Sequence, residues 1–311
     1  MILTGEPRLP GLPRIDVVQH PTLRAAGVVL GVLRLDLLHP LWGGNKYFKL
    51  WPNLLSARER GLDTIVSFGG AHSNHLHALA ALGHASAIAT VGIVRGEEPL
   101  RPSPMLCDVR AWGMQLRFVS RVDYRQRRDP RWVAGLMRDL PSAWLVPEGG
   151  DNAAGFAGCR ALGAAIRVRY GAEWEVLAAA CGTGTTIAGL VAAGAGQVLG
   201  IAAVRDAAGI EQRVAAHLGG TAVAARAGFR VLERFAGRGF ARLDASHHAL
   251  MEEFRVNHGI PLDPVYTVKL FHGLLELAAE GYFAPGTRVL ALHSGGLQGA
   301  RAMAPATMCG P

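Results

Sequence analysis

Lys46 stands directly behind a glycine pair, in Gly43-Gly44-Asn45-Lys46, where a stretch of helical spacing opens. A lysine in such a place is either a surface cation or a functional amine. Sheltered from water and near another cation, an ammonium gives up its proton easily. It then serves as a nucleophile, a base or the amine of a Schiff base. Lys49 follows three residues on, on the same helical face, and supplies such a charge or binds a phosphate.

A second group of residues suits an anion. Gly182-Thr183-Gly184-Thr185-Thr186 follows an apolar run and precedes a helical one. Small residues let backbone N–H groups approach a ligand, three threonines add hydroxyls, and the helix start adds a positive dipole end. The chain has no GxxxxGK[ST] motif, and this turn lacks a strict GxGxxG with its ribose-binding acid. A single phosphate group suits it better than a nucleotide, and an ordinary tight turn is the plainer alternative. A third group, Ser73-Asn74-His75, can cap a helix. His72, His75 and His77 invite a metal, but no acidic partner stands beside them, and His72 and His75 read as solvent-facing. The expectation is no metal.

These groups need elements to hold them, and the chain provides an alternation of strands and helices. Residues 1–26 are proline-rich and read as an extended arm. Val28–Leu37 reads as a strand and Lys46–Arg60 as a helix that Pro52 bends or restarts. Strands are expected at Thr64–Phe68, Ala87–Val94, Leu116–Val119, Ala143–Val146, Val176–Ala180, Val198–Ala203 and Arg288–Leu292. Helices are expected to follow most of them, including an Arg-rich one after Val119 and others at Ser246–His258 and Lys269–Glu280. Such alternation predicts an α/β fold with parallel sheets covered by helices on both faces. Ligands then sit at the carboxyl ends of the strands. Three Gly/Ser/Thr-rich turns fall there, after Phe68, Ala180 and Leu292, and they converge on one expected site.

Six segments in order carry a resemblance: GGNKYFKL, GGAHSNHLHALAALG, PEGGDNAAGFAGC, GTGTTIAGL, LDPVYTVKL and HSGGLQG. Together, from Trp42 to Gly299, they resemble the 1-aminocyclopropane-1-carboxylate (ACC) deaminase / D-cysteine desulfhydrase family of pyridoxal-phosphate enzymes. The resemblance implies fold type II, the tryptophan-synthase β-like fold, with two open, twisted, mostly parallel sheets flanked by helices. It implies a larger cofactor-binding domain of residues 1–51 and 144–311, and a smaller α/β domain of residues 52–143 inserted in it. It places Lys46 as the Schiff-base lysine and Lys49 near the cofactor phosphate. Gly182, Thr183, Gly184, Thr185 and Thr186 match the phosphate loop. Asn74 matches the asparagine facing the cofactor's 3′-oxygen, and Ser294 a hydroxyl residue near the pyridine nitrogen. Ser73 and Tyr266 match catalytic residues, and with Asn74 and His75 they would meet the substrate. A homodimer acting on a small amino acid is also implied.

The sequence departs from the family pattern in four places. Thr267 stands where ACC deaminases carry a glutamate. Val268 replaces the glycine of the desulfhydrase VYTGK pattern, and His72 opens HSNH where QSNH is usual. Gly239-Phe240-Ala241 replaces a GYG segment that supplies a second tyrosine. A hydroxyl at Ser294 holds a pyridinium less well than a carboxylate would, and elimination of a good leaving group needs less electron withdrawal than opening a cyclopropane. The expected activity is therefore β-elimination from D-cysteine or a related D-amino acid, with ACC ring opening second. A nicotinamide or mononucleotide enzyme, and a non-catalytic homologue, are the other readings of the same residues.

The totals limit the remaining classes. The 311 residues are 50% hydrophobic and 18% charged, a globular composition long enough for one or two domains. The net charge of +8 is mostly scattered arginine, dense only in Arg117–Arg131. That patch has no zinc-finger spacing or interleaved aromatics, so it reads as a solvated surface, and no nucleic acid is expected. No apolar run reaches the roughly 20 residues of a membrane span. The four cysteines form no CxxC pair, and reduced thiols in a cytoplasm fit them.

Overall fold

The computed structural model describes residues 11–220, 228–237 and 242–303. Gly239, Phe240 and Ala241 lie outside the described residues.

The strands form two sheets. The larger is six-stranded: β1 (Ile15–Val18), β2 (Val29–Leu33), β10 (Arg288–Leu292), β7 (Val176–Cys181), β8 (Gln197–Ala202) and β9 (Phe229–Leu232), in that spatial order. β1 runs antiparallel to β2, and every other pairing is parallel. The smaller is four-stranded and wholly parallel, in the order β5 (Gln115–Val119), β4 (Ala89–Arg95), β3 (Thr64–Gly69) and β6 (Ala143–Val146). This is the expected α/β architecture. The expected domain boundary at 143/144 falls inside β6, which lies entirely in the smaller sheet.

Central strands such as β7, with all six residues buried, are sandwiched between helices, as parallel strands require. On one face of the large sheet, Ala178, Leu199 and Ala291 pack against α1 (Pro21–Ala26), α9 (Ala245–His258) and α10 (Thr267–Ala279). On the other, Leu177, Val198 and Leu290 pack against α6 (Ala153–Tyr170), α7 (Thr185–Ala192) and α8 (Ala207–His217). The small sheet is covered by α3 (Asn74–Ser86) and α4 (Pro104–Ala111) on one face. On its other face lie Tyr124 and α5 (Pro130–Leu136).

Helix α2 (Asn45–Glu59) serves both sheets. Phe48 packs into the large-sheet core, while Leu50, Trp51 and Leu54 pack into the small one. Pro52 neither ends nor restarts it; the helix runs through. Proline has no N–H, so the carbonyl four residues back, on Phe48, loses its usual donor. That carbonyl faces α6 at Gly158, where a Cβ would lie 1.7 Å from the oxygen. Only glycine permits this approach.

Several details depart from the sequence expectations. Residues 15–26, expected as part of an extended arm, form β1 and α1. The strand expected to run to Leu37 stops at Leu33 and continues as a 3-10 turn, Leu35–Leu38. The Arg-rich helix is a 3-10 turn at Asp123–Gln126 followed by α5. Cys159 and Cys181 are free and buried, but Cys107 is disulfide-bonded, against the expectation of reduced thiols throughout. Among the described residues no helix is long and apolar enough to cross a membrane.

Candidate active site

Lys46 occupies the first turn of α2, and its seat is made by two glycine turns pressed together. Gly44 has φ +96°, and a Cβ there would lie 2.1 Å from the carbonyl oxygen of Ser294. The same carbonyl accepts the N–H of Asn45 at 3.3 Å. The start of α2 is thus pinned to the turn after β10. The Lys46 amine donates to Asn45 Oδ1 at 3.0 Å and lies 5.8 Å from the centre of the Tyr266 ring. Removal from bulk water, then the charge of Lys49, pulls its pKa down to about 7. An amine so placed is partly neutral at physiological pH and has a free lone pair. It opens on a cavity of about 1010 Å³.

The anion-suited turn lies across the same cavity. Lys49 is buried, and its amine donates to Thr183 Oγ1 at 3.3 Å. Thr185 Oγ1 donates to Asp151 Oδ1 at 2.7 Å, so the 2.9 Å contact between Thr183 and Thr185 takes its proton from Thr183. Asp151 also accepts from His217 Nε2 at 2.8 Å. Burial alone would raise the Asp151 carboxyl, but the bonds from His217 and Thr185 hold it below its usual range. Arg213 Nε donates to the Thr183 carbonyl at 2.9 Å from α8. Gly182, Thr183, Gly184 and Thr186 line the cavity; the fully buried Thr185 does not, its hydroxyl being turned to Asp151.

The opposite wall comes from the small sheet. Ser73 caps α3, accepting the N–H of Leu76 at 3.2 Å. Asn74 Oδ1 accepts from Gln298, linking α3 to the residues after β10. His75 is buried, not solvent-facing as the sequence suggested. Ser67 donates to the Val146 carbonyl at 2.7 Å, so His75 must donate its Nε2 proton to Ser67 at 2.8 Å. His75 Nδ1 is left as a buried acceptor without a partner. Burial, then the charges of Lys46 and Lys49, push His75 well below its usual pKa, so it stays neutral. His77 Nε2 lies 3.0 Å from Asp108 of α4, an acidic partner the sequence did not reveal.

Tyr266 enters from a turn built on Asp263. This buried carboxylate accepts the N–H groups of Val265, Tyr266 and Thr267 and the hydroxyl of Thr267. Thr267 is fully buried and absent from the cavity wall; its hydroxyl belongs to this turn. Val268 is also fully buried, in the core beneath the large sheet. The valine-for-glycine change therefore does not face the cavity. Burial, then Asp263 and Glu148, raise the Tyr266 phenol far above its ordinary value, so it remains protonated.

The structure thus brings Lys46, Lys49, Ser73, Asn74, His75, Tyr266 and Ser294 onto one cavity with four residues of the Gly182–Thr186 turn. Asp151, His217 and Arg213, which support that turn, were not anticipated. Arg213 and His217 come from α8 and Asp151 from the loop before α6, and no local sequence signal marks them.

A 1-aminocyclopropane-1-carboxylate deaminase homologue of known structure superposes with a TM-score of 0.79 at 25% identity, covering 94% of this chain and 91% of its own. A Pyrococcus abyssi protein, provisionally named a 1-aminocyclopropane-1-carboxylate deaminase, is 30% identical over 96% of this chain and 94% of its own length. The D-cysteine desulfhydrase of Yersinia pestis is 27% identical over 94% of this chain and 97% of its own. The family model described as pyridoxal-phosphate dependent enzyme matches residues 14–295, and the chain belongs to that family.

Proposed function

We propose that this pyridoxal-phosphate enzyme is a lyase. It would remove a β substituent from a small amino acid, D-cysteine or a related D-amino acid, and release a 2-oxo acid, ammonia and, from cysteine, sulfide. The residues present fit the cofactor. A lysine amine with a pKa near 7 faces an anion-suited turn backed by a buried lysine, with an orphan imidazole acceptor beside them. When bound, pyridoxal phosphate supplies an electron sink that makes the substrate Cα–H acidic.

The protein's share of the chemistry follows from its side chains. Lys49, Thr183 and the backbone N–H groups of the turn would hold the phosphate. Asn74 and Ser294 would orient the ring. Ser73 would hold the substrate carboxylate, with His75 behind it. The Lys46 amine would take the Cα proton, since burial and Lys49 hold its pKa near 7. Tyr266 keeps its proton, so it would act as a donor to the leaving group. The two sheets would behave as two units, and closure of the cleft between them would exclude water.

One observation favours elimination over ring opening. The residue after Tyr266 offers no acid to the cavity, because it is a threonine whose hydroxyl is bound to Asp263. Ring opening is the second reading, favoured by the Pyrococcus abyssi relative's name. A product screen tests both. Pyruvate with sulfide from D-cysteine supports the first reading, 2-oxobutanoate from ACC replaces it with the second, and no keto acid from either removes both. The chain is proposed to work as a homodimer; sedimentation of the loaded protein tests the assembly.

A further inference from the structure

The carboxyl edge of the small sheet carries a guanidinium that the proposed reaction does not use. Arg95 is the last residue of β4, next to the end of β3, where the turn to Ser73 begins. Its terminal nitrogen reaches over that turn, 3.6 Å from where a Cβ on Gly70 would stand. Arg95 is exposed, and its guanidinium lies 5.8 Å from the centre of the buried Tyr124 ring. Arg127 lies against the same ring at 5.0 Å, but its charge is matched: its Nε donates to Glu148 at 2.7 Å. The other oxygen of Glu148 accepts from Tyr124 at 2.8 Å. Glu148 is thus occupied, and among the described residues Arg95 has no carboxylate partner. All four residues except Tyr124 line the cavity.

We propose that Arg95 receives a second anionic group on the substrate, so that the preferred amino acids carry a phosphate, sulfonate or carboxylate on the side chain. This rests on the reading of the cavity as an amino-acid site. The α-carboxylate already has the capping residue Ser73 and the start of α3. Arg95 stands beside that turn, not within it. The cavity of about 1010 Å³ has to hold the cofactor as well as the substrate, and Arg95 lines it together with Ser73 and Tyr266. A guanidinium beside an aromatic ring with its fork open can take an oxyanion through two parallel hydrogen bonds. With O-phosphoserine, elimination would break the Cβ–O bond and phosphate would leave with the electron pair. The Cα proton would pass to Lys46, and water would complete the products: pyruvate, ammonia and phosphate.

The test uses the cofactor-loaded full chain and its Arg95→Gln and Arg95→Lys variants. Both enantiomers of O-phosphoserine and β-chloroalanine are assayed for pyruvate, and calorimetry compares binding of aspartate with alanine. In Arg95→Gln, the kcat/KM ratio of O-phosphoserine to β-chloroalanine should fall by about tenfold or more through KM, the scale of one lost charged hydrogen bond. Arg95→Lys should recover part of it, and aspartate should lose its binding advantage over alanine. An unchanged ratio, or an equal fall for both substrates, overturns the proposal while the lyase reading stands. If neither substrate turns over but aspartate binding still depends on Arg95, the proposal stands and the lyase reading fails. If neither happens, both fail.

Discussion

Asn45 and Thr186 are 141 residues apart in sequence and share a hydrogen bond of 3.0 Å. The amide nitrogen of Asn45 holds the anion-suited turn, while its oxygen holds the Lys46 amine at 3.0 Å. One side chain therefore sets the spacing between the two ends of the proposed cofactor. Asn45→Ala should weaken pyridoxal phosphate binding by about tenfold, the scale of one buried hydrogen bond lost on each side. Fluorescence titration of the cofactor-free protein measures this, and an unchanged affinity would show that the amide is a bystander.

Lys46→Ala should end covalent attachment of the cofactor without unfolding the chain, because the side chain faces the cavity and not the core. Borohydride reduction followed by peptide mass analysis checks this directly. A modified peptide elsewhere would identify a different amine.

The sign of the pH dependence follows from the Lys46 pKa of about 7, lowered from 10.5. The neutral, reactive amine predominates above pH 7 and disappears below it. Cofactor capture by the stripped protein should rise through pH 7 and level off by pH 8 to 9. A rate still climbing toward pH 10 would mean an ordinary, hydrated lysine.

Tyr266→Phe should leave cofactor binding intact and reduce turnover by about 100-fold or more, the usual contribution of a placed proton donor. Since the phenol stays protonated, no alkaline limb due to Tyr266 should appear near neutral pH. Near-normal kcat in the phenylalanine variant would remove Tyr266 from the chemistry.

Gly158→Ala tests the crossing of α2 and α6. The new methyl would meet the Phe48 carbonyl at 1.7 Å, so one helix must shift. A loss of about 1–3 kcal/mol is expected, as for other overpacked core sites. Urea denaturation of the two proteins measures it. Weaker cofactor capture should accompany the loss, because α2 carries both Lys46 and Lys49.

The site was legible where chemistry is local. A turn rich in Gly, Ser or Thr at the end of an apolar run announces itself, so the pieces around Lys46, Ser73, Gly182 and Ser294 could be found in the sequence. What Asp151, His217 and Arg213 do depends on tertiary placement, and their neighbours in sequence say nothing of it. His75 looked hydrophilic among the histidines of α3, yet that helix is enclosed, and burial is a property of packing. Thr267 could be read only as a missing glutamate; its bond to Asp263 explains where its hydroxyl went. Pro52 looked like a break because proline lacks a donor, but α2 runs through it, and Gly158 lets α6 close on the carbonyl that loses this donor.

Strand β10 lies between β2 and β7, although it follows both in the chain. During synthesis, the large sheet therefore exists as two separate edges until its middle strand emerges. Ser294, whose carbonyl seats the amine-bearing helix, is made only after β10. A nascent chain carries Lys46 early but cannot hold it in its working place. Loading with the cofactor must then wait until β10 and Ser294 have emerged, and the unjoined edges of β2 and β7 are surfaces a chaperone has reason to cover in the meantime.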